Sequence, residues 1–351
     1  MVMIKARYAE EIEGTSDVRC LLCPQACIVN EGRSGRCRVR LNKEGTLYSL
    51  IGDRCASVNL DPIEKKPLYH FHPGSRILSF GTFGCNFSCE FCQNWTLSHP
   101  DKKYLTCEGI ERATDLVTPE SALEIALRTK DKGNIGISFT YNEPSIWFEF
   151  VLETSRLLRS HGLKSVLVSN GSLNEGPLDE LLPYIDAANI DIKSINPSFY
   201  RKYCKAELEP VLAYCRKAKD HMLLEITNLL ITSLNDSRED LEGLVNWVHD
   251  HLGEETPIHF SRYHPDFKMD LPGTPMESIE MAHEIAGRKL KYVYAGNIPF
   301  NPWNDTLCPS CRKTVIKREG MGVSSCSLSD GGACGFCGAR VNVTGPCRRS
   351  W

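Results

Sequence analysis

Ile77-Leu78-Ser79-Phe80 is a short apolar run, and it is followed closely by Gly84-Cys85-Asn86-Phe87-Ser88-Cys89-Glu90-Phe91-Cys92-Gln93-Asn94-Trp95. The run reads as a buried strand, and the C-x3-C-x2-C stretch as the loop that follows it. Three thiolates on one short loop can ligate three irons of a cubane cluster and leave the fourth iron without a protein ligand. A [4Fe-4S] cluster that only carries electrons normally takes four cysteines. A trio with no fourth cysteine close behind therefore points to a cluster that binds a substrate at its open iron.

Outward from this loop the texture repeats. Further apolar runs lie at 135–140, 165–168, 187–192, 223–226 and 257–261, and 291–294 adds one more candidate strand. Helix-like segments separate them at 119–130, 144–160, 178–182, 237–251 and 276–288. Alternating strands and helices imply parallel strands in βαβ units. The expected fold class is α/β: a partial (β/α)6 TIM-like barrel flanked by small Cys-rich metal-binding segments. The expected divisions are an N-terminal Cys-rich segment at 1–75, a core barrel at 76–300 and a zinc-ribbon-like segment at 301–351. In such barrels the polar residues at the C-terminal strand ends line the active site. Those ends offer Tyr141-Asn142-Glu143, Ser169-Asn170-Gly171, Asp191-Ile192-Lys193, Thr227-Asn228 and the stretch from His259 to Tyr263. Each has a plain structural alternative, such as a helix cap, a turn or an ion pair.

The chain has 351 residues, 42% hydrophobic and 24% charged, with a formal net charge of −3. That composition is ordinary for a globular protein and lacks the broad basic footprint of a nucleic-acid binder. The stretch from Met1 to Glu13 carries Lys5, Arg7, Glu10, Glu11 and Glu13, which does not read as a secretory signal. The most apolar stretch, Met222 to Leu234, is interrupted by Glu225 and Asn228, so no transmembrane helix is expected. A cytoplasmic chain is the expectation. Its 17 cysteines then point to metal rather than to a disulfide framework. Cys20, Cys23, Cys27 and Cys37 form one set of four thiols, open to zinc or to a closed iron–sulfur cluster. Cys308, Cys311, Cys334 and Cys337 form a paired C-x2-C pattern, for which zinc is the preferred metal. Arg33, Arg36, Arg38 and Arg40 form a local basic run, either a solvated loop or a dock for an acidic partner.

Gly84 to Trp95 after a first barrel strand resembles the radical S-adenosylmethionine (SAM) superfamily, and within it the pyruvate formate-lyase activating enzyme type. Asp61-Pro62-Ile63-Glu64-Lys65-Lys66-Pro67-Leu68-Tyr69-His70-Phe71, Thr140-Tyr141-Asn142-Glu143-Pro144 and Tyr292-Val293-Tyr294-Ala295-Gly296-Asn297 add a resemblance to the radical SAM member of the AmmeMemoRadiSam system. The resemblance implies a [4Fe-4S] cluster on Cys85, Cys89 and Cys92, with SAM chelated at the open iron. It implies reductive cleavage of SAM to a 5′-deoxyadenosyl radical, under anaerobic conditions, which abstracts hydrogen from an unidentified substrate, with a macromolecule preferred. Asn142 and Glu143 take the place of a Gly-Gly-Glu-type motif in which Tyr141 and Asn142 replace the glycines, and Glu143 would meet the SAM ammonium. Phe91 fills the adenine-contact position. Ser169 and Asn170 resemble ribose and carboxylate contacts. Asp191 and Lys193 resemble an Asp-x-Lys in which the lysine meets the SAM carboxylate. The implied partners are a low-potential electron donor such as ferredoxin or flavodoxin and the other AmmeMemoRadiSam components, with no membrane or nucleic acid. Activation of a glycyl-radical enzyme is the alternative reaction, and a non-enzymatic Zn/Fe-S binding module the alternative of another class. Thr232-Ser233-Leu234 stands where relatives tend to carry a Pro-Gly turn.

Overall fold

A computed structural model describes residues 3–299, 301–329 and 331–350. Its centre is an eight-stranded sheet: β1 (Ser57–Pro62), β2 (Arg76–Gly81), β3 (Asn134–Phe139), β4 (Lys164–Ser169), β5 (Ala187–Asp191), β6 (Leu223–Leu230), β7 (Ile258–Arg262) and β8 (Val293–Gly296). The strands lie side by side in chain order, with β1 antiparallel to β2 and every other pair parallel. Helices α1 (Pro119–Arg128), α2 (Phe148–Ser160), α3 (Glu175–Leu181), α4 (Glu209–Ala218), α5 (Arg238–Leu252) and α6 (Met276–Gly287) occupy the six crossovers from β2 to β8. Sequential order with right-handed crossovers puts these helices on one face. The other face can then be buried only by curling the sheet on itself, and β1 and β8 do not pair to close it. The result is the expected partial barrel, extended by a seventh parallel strand.

Local chemistry sets the element ends. Thr118 caps α1 by accepting from the Ser121 amide, Pro119 opens it, and Ser237 caps α5 in the same way. The expected helix at 144–160 divides into a tight turn at Pro144–Trp147 and α2 proper. The last strand lies at Val293–Gly296, two residues beyond the apolar run, because Lys291 is tied to Glu254 and Glu255 before it. β1 carries no clear alternation and ends on Pro62, which suits an edge strand. It reaches back across the expected boundary at residue 75.

The N-terminal segment does not depend on metal alone. Val18, Leu22, Val29, Val39, Leu47 and Ile51 belong to the same apolar core as Phe80, Phe139 and Trp147. Arg40, expected in an exposed basic run, is instead buried against Glu149, with N–O distances of 2.7 and 2.8 Å. Arg33, Arg36 and Arg38 remain exposed.

A second core joins Tyr69, Tyr292 and Tyr294 to a C-terminal antiparallel ribbon of β9 (Thr306–Leu307), β10 (Thr314–Glu319) and β11 (Gly322–Cys326). It packs against a polar network near the N-terminal strand ends. Glu225 accepts from the His70 amide and from His259, each at 2.7 Å, and His70 contacts the Tyr294 hydroxyl at 2.6 Å and the Asn342 carbonyl. His259 is therefore a satisfied structural residue, as is Arg262, whose Nε donates to the Thr274 carbonyl. One disulfide, Cys326–Cys347, ties the ribbon to the terminal segment, against the expectation of reduced thiols. Among the described residues, no helix is long and apolar enough to cross a membrane.

Candidate active site

The C-terminal ends of the strands converge on one cavity of about 380 Å3. The loop after β2 contributes Cys85, Cys89, Phe91 and Cys92. Asn142 and Glu143 come from the end of β3, Ser169 and Asn170 from β4, and Asp191 and Lys193 from β5. Every candidate placed at the central site by the sequence thus lines the same space. Thr227 and Leu229 of β6 and Ser261 of β7 complete the wall.

The Cys loop is held from several sides. Gly84 has φ +92°, and a Cβ there would sit 2.6 Å from the Cys37 carbonyl oxygen, so only glycine lets the loop approach the N-terminal segment this closely. The Asn142 amide group donates to the Gly84 carbonyl at 3.0 Å and accepts from the Thr82 amide at 3.1 Å. Asn142 thus fixes the entry to the loop. The Ser88 and Glu90 amides donate to the Cys204 and Tyr203 carbonyls at 2.9 and 3.0 Å.

The sulfurs face distinct surroundings. The Phe87 amide donates to Cys85 Sγ at 3.3 Å, and Asn170 Nδ2 lies 3.7 Å from the same sulfur. Cys92 Sγ is 3.1 Å from the Ser98 hydroxyl. Burial pushes the Cys85 thiol well above its ordinary range. A hydrogen bond from Cys204 holds the Cys89 thiol low, and Lys193 adds to the effect. Cys204 looks like a scattered core cysteine in the sequence, but it is fully buried against Cys89. Only the fold reveals that contact, because 115 residues separate the two.

Glu143 is buried and accepts four hydrogen bonds. Oε1 takes the Ser145 amide and hydroxyl and the Ser169 hydroxyl, the last at 2.7 Å, and Oε2 takes the Asn170 amide at 2.7 Å. Burial nevertheless raises its pKa above the usual carboxylate value. Asn170 also donates to Asn86 at 2.8 Å. Ser169 and Asn170 therefore orient Glu143 and the Cys loop. Lys193 pairs with Asp191 at 3.0 Å and lies 5.9 Å from the Phe91 ring centre. Burial opposes the Lys193 charge, but Asp191 together with the neighbouring Cys89, Cys204 and Tyr200 outweighs it and raises the pKa well above the usual lysine value.

Two residues of the wall, Tyr141 and Lys66, and Asp61 behind them escaped sequence reasoning as a functional group. Tyr141 donates its hydroxyl to Asp61, Lys66 pairs with the other side of that contact at 2.8 Å, and the Lys66 ammonium sits 4.7 Å from the Tyr141 ring centre. Burial brings the Lys66 pKa down to about 8 despite Asp61. The Lys65-Lys66 pair was visible in the sequence, but nothing local showed that Lys66 points inward.

The two flanking Cys sets differ. Among the described residues, Cys308, Cys311, Cys334 and Cys337 form the one group of three or more candidate ligands whose ligand atoms all lie within 4.8 Å of one another. The sulfurs of Cys308 and Cys337 are 3.6 Å apart, and those of Cys311 and Cys334 are 3.7 Å apart. A tetrahedron on metal–sulfur bonds of about 2.3 Å has edges of about 3.8 Å. Cys20, Cys23, Cys27 and Cys37 share the wall of a separate, small cavity.

A model of the Radical SAM superfamily matches residues 80–248, the stretch that carries the Cys loop and the ends of β3, β4 and β5. That stretch is a radical SAM domain. Such a domain implies a [4Fe-4S] cluster and SAM. An uncharacterized protein of Methanocaldococcus jannaschii is 42% identical over 347 residues, covering 97% of this chain and 99% of the relative. The pyruvate formate-lyase-activating enzyme of Listeria monocytogenes is 27% identical over 186 residues, covering 50% of this chain and 70% of the relative. A solved domain of pyruvate-formate lyase-activating enzyme from Bacteroides vulgatus aligns with a TM-score of 0.41 at 19% identity, covering 46% of this chain and 98% of that one.

Proposed function

We propose that this protein is a radical SAM enzyme that abstracts hydrogen from a macromolecular substrate. The observation that carries the reading is the convergence of Cys85, Cys89 and Cys92 with Glu143 and Lys193 on one cavity. The residues fit the group: three thiols share a loop, the buried Glu143 carboxylate and the half-buried Lys193 ammonium face them, and Phe91 offers a ring to adenine. When bound, a reduced [4Fe-4S] cluster with an open iron supplies the electron that splits SAM into methionine and a 5′-deoxyadenosyl radical. The chain's own residues bind and position. Glu143 takes the amino group of SAM, Lys193 takes its carboxylate, and Ser169 and Asn170 hold Glu143 in place. Asn142 fixes the mouth of the Cys loop, and the packed strand ends exclude water.

The cavity volume supports a macromolecular target. About 380 Å3 is at the low end of sites for a single ligand of drug size, which leaves little room for a second small molecule beside SAM. A target residue would be presented at the cavity wall near Asn94, next in sequence to Trp95, whose ring stacks on Phe267 with centres 5.5 Å apart. The other AmmeMemoRadiSam components and a low-potential ferredoxin or flavodoxin are the proposed partners. Activation of a glycyl-radical enzyme is the second reading, favoured by the Listeria relative's name. A binding module without catalysis has no use for a buried carboxylate and a half-buried ammonium facing an open thiol trio. In this reading the N-terminal, barrel and C-terminal divisions follow the three Cys sets, with zinc at Cys308, Cys311, Cys334 and Cys337.

Anaerobic reconstitution, reduction and addition of SAM should release 5′-deoxyadenosine and methionine. Release no greater than that of a Cys85→Ala/Cys89→Ala/Cys92→Ala variant would overturn the reading.

A further inference from the structure

We propose that Cys20, Cys23, Cys27 and Cys37 hold a second, closed [4Fe-4S] cluster, which passes electrons one at a time to the Cys85, Cys89 and Cys92 site. The four side chains come from the end of the strand Val18–Cys20 and from the loops that follow it, and they line one cavity together with Arg40 and Asn86. Cys20, Cys23 and Cys37 are buried, while Cys27 is only partly so.

The Arg36 amide donates to Cys27 at 3.4 Å. The backbone amides of Leu22, Gln25 and Val39 face Cys20, Cys23 and Cys37 and favour their thiolate forms. Three of these donors lie two residues beyond their cysteine. Phe87 to Cys85 in the central loop and Phe336 to Cys334 in the ribbon have the same arrangement. N–H donors to sulfur stabilise thiolate charge and tune cluster potential. Four neutral, unligated thiols have little use for four such donors.

Arg40 is the independent sign of a missing acceptor. Its side chain is 1% exposed, and it donates to Glu149 and to the Arg7 carbonyl, yet its Nε has no partner among the described residues. A buried donor left unsatisfied is costly. A cluster sulfide or thiolate in this cavity would satisfy it and would gain a nearby positive charge.

The spacing separates the metals. The ribbon sulfurs stand at tetrahedral separations around a single ion. The N-terminal four do not form such a compact group among the described residues. Wider spacing suits a cubane, in which every thiolate binds a different iron.

Asn86 joins the two sites. It lines the N-terminal cavity together with Cys23. Its Oδ1 lies 3.9 Å from Cys85 Sγ. The Cys37 carbonyl is the group that crowds Gly84. In the transfer, the second cluster is oxidised by one electron as the central cluster is reduced by one. An external low-potential iron–sulfur or flavin protein restores the electron. This transfer rests on the radical SAM reading of the central site, whereas the presence of the second cluster does not.

The test uses the full chain carrying Cys85→Ala/Cys89→Ala/Cys92→Ala, reconstituted with iron and sulfide under anaerobic conditions. The variant should retain about four irons and about four acid-labile sulfides per chain, with a [4Fe-4S] Mössbauer signature. Adding Cys23→Ser and Cys27→Ser should remove them while the circular dichroism stays native. If the added changes unfold the chain, Cys27→Ser alone should alter the electron paramagnetic resonance of the reduced second cluster. Zinc without labile sulfide, or no metal, in the triple variant overturns the cluster. With the central trio intact, Cys27→Ser should abolish the fast phase of central-cluster reduction in stopped flow. An unchanged fast phase overturns the relay and leaves the SAM chemistry of the central site untouched.

Discussion

Tyr141 donates its phenolic hydrogen to Asp61 at 2.7 Å from a left-handed backbone with φ of 74°. That conformation favours glycine, and a bulky residue there costs on the order of 1 kcal/mol. The Asp61 bond and the Lys66 ammonium over the ring offset the cost. Lys66→Met should therefore destabilise the fold by about 3 kcal/mol, because Asp61 stays buried after losing its best-buried partner. Asp61→Asn combined with Lys66→Met should cost clearly less than the sum of the single changes. Denaturant unfolding of the three variants measures both effects, and strict additivity would disprove the coupling.

Glu143 is positioned by Ser169, Asn170 and Ser145, so Glu143→Gln changes the charge while keeping the shape. Hydrogen bonds to charged groups contribute about 1.5–3 kcal/mol, so SAM affinity should fall by roughly one to two orders of magnitude. Titration calorimetry on the reconstituted protein checks this. Ser169→Ala should produce a smaller loss in the same direction.

Cys204 is buried beside Cys89 and holds its thiol low. A donor to a ligand sulfur stabilises the reduced, more negative cluster. Cys204→Ala should therefore lower the midpoint potential of the central cluster while leaving its iron content unchanged. A redox titration followed by paramagnetic resonance reads the shift.

His70 is fully buried, and burial holds its pKa down at about 4, against an ordinary 6.5. The unfolded chain binds the proton below pH 6.5, whereas the folded chain resists it until about pH 4. Stability from this group is complete above pH 6.5 and is lost as pH falls towards 4, by about 3 kcal/mol. Glu225, held below its usual value mainly by His259 against the opposing effect of burial, adds a further loss below its unfolded pKa. Urea midpoints across pH 4–7 should fall accordingly. A His70→Gln variant should show a flatter profile.

Removing metal from the ribbon should be felt at the second core. A strong chelator, or Cys311→Ser, should release one zinc per chain and lower the unfolding temperature, because Cys308 and Cys334 pack with Val315, Ile316 and Tyr294. Release of iron in place of zinc would contradict the assignment.

The parallel strands were legible because each is a short apolar run with turns on both sides, and the Cys loop because its spacing is local. Glu143, Ser169 and Lys193 could be placed from strand ends alone. What stayed hidden depends on distance in the chain. Cys204 reaches Cys89 only through the crossover between β5 and β6. Lys66 turns inward only because β1, an edge strand with no alternation, docks on β2. Arg40 looked like surface charge until Glu149, far along the chain, buried it. The sequence reading also gave Asn142 to SAM, whereas both of its hydrogen bonds in the structure go to the backbone that frames the Cys loop.

The contact between His70 and Asn342 bears on how the molecule is made. Phe71 pairs with Thr344, the His72 amide donates to the Thr344 carbonyl, and the Arg318 guanidinium lies 4.2 Å from the Tyr69 ring centre. A segment near residue 70 thus waits for a partner made much later in synthesis. During synthesis the barrel floor stays uncovered, with Glu225 and His259 beneath it. A nascent chain stalled before the ribbon would be the form most exposed to chaperones and proteases.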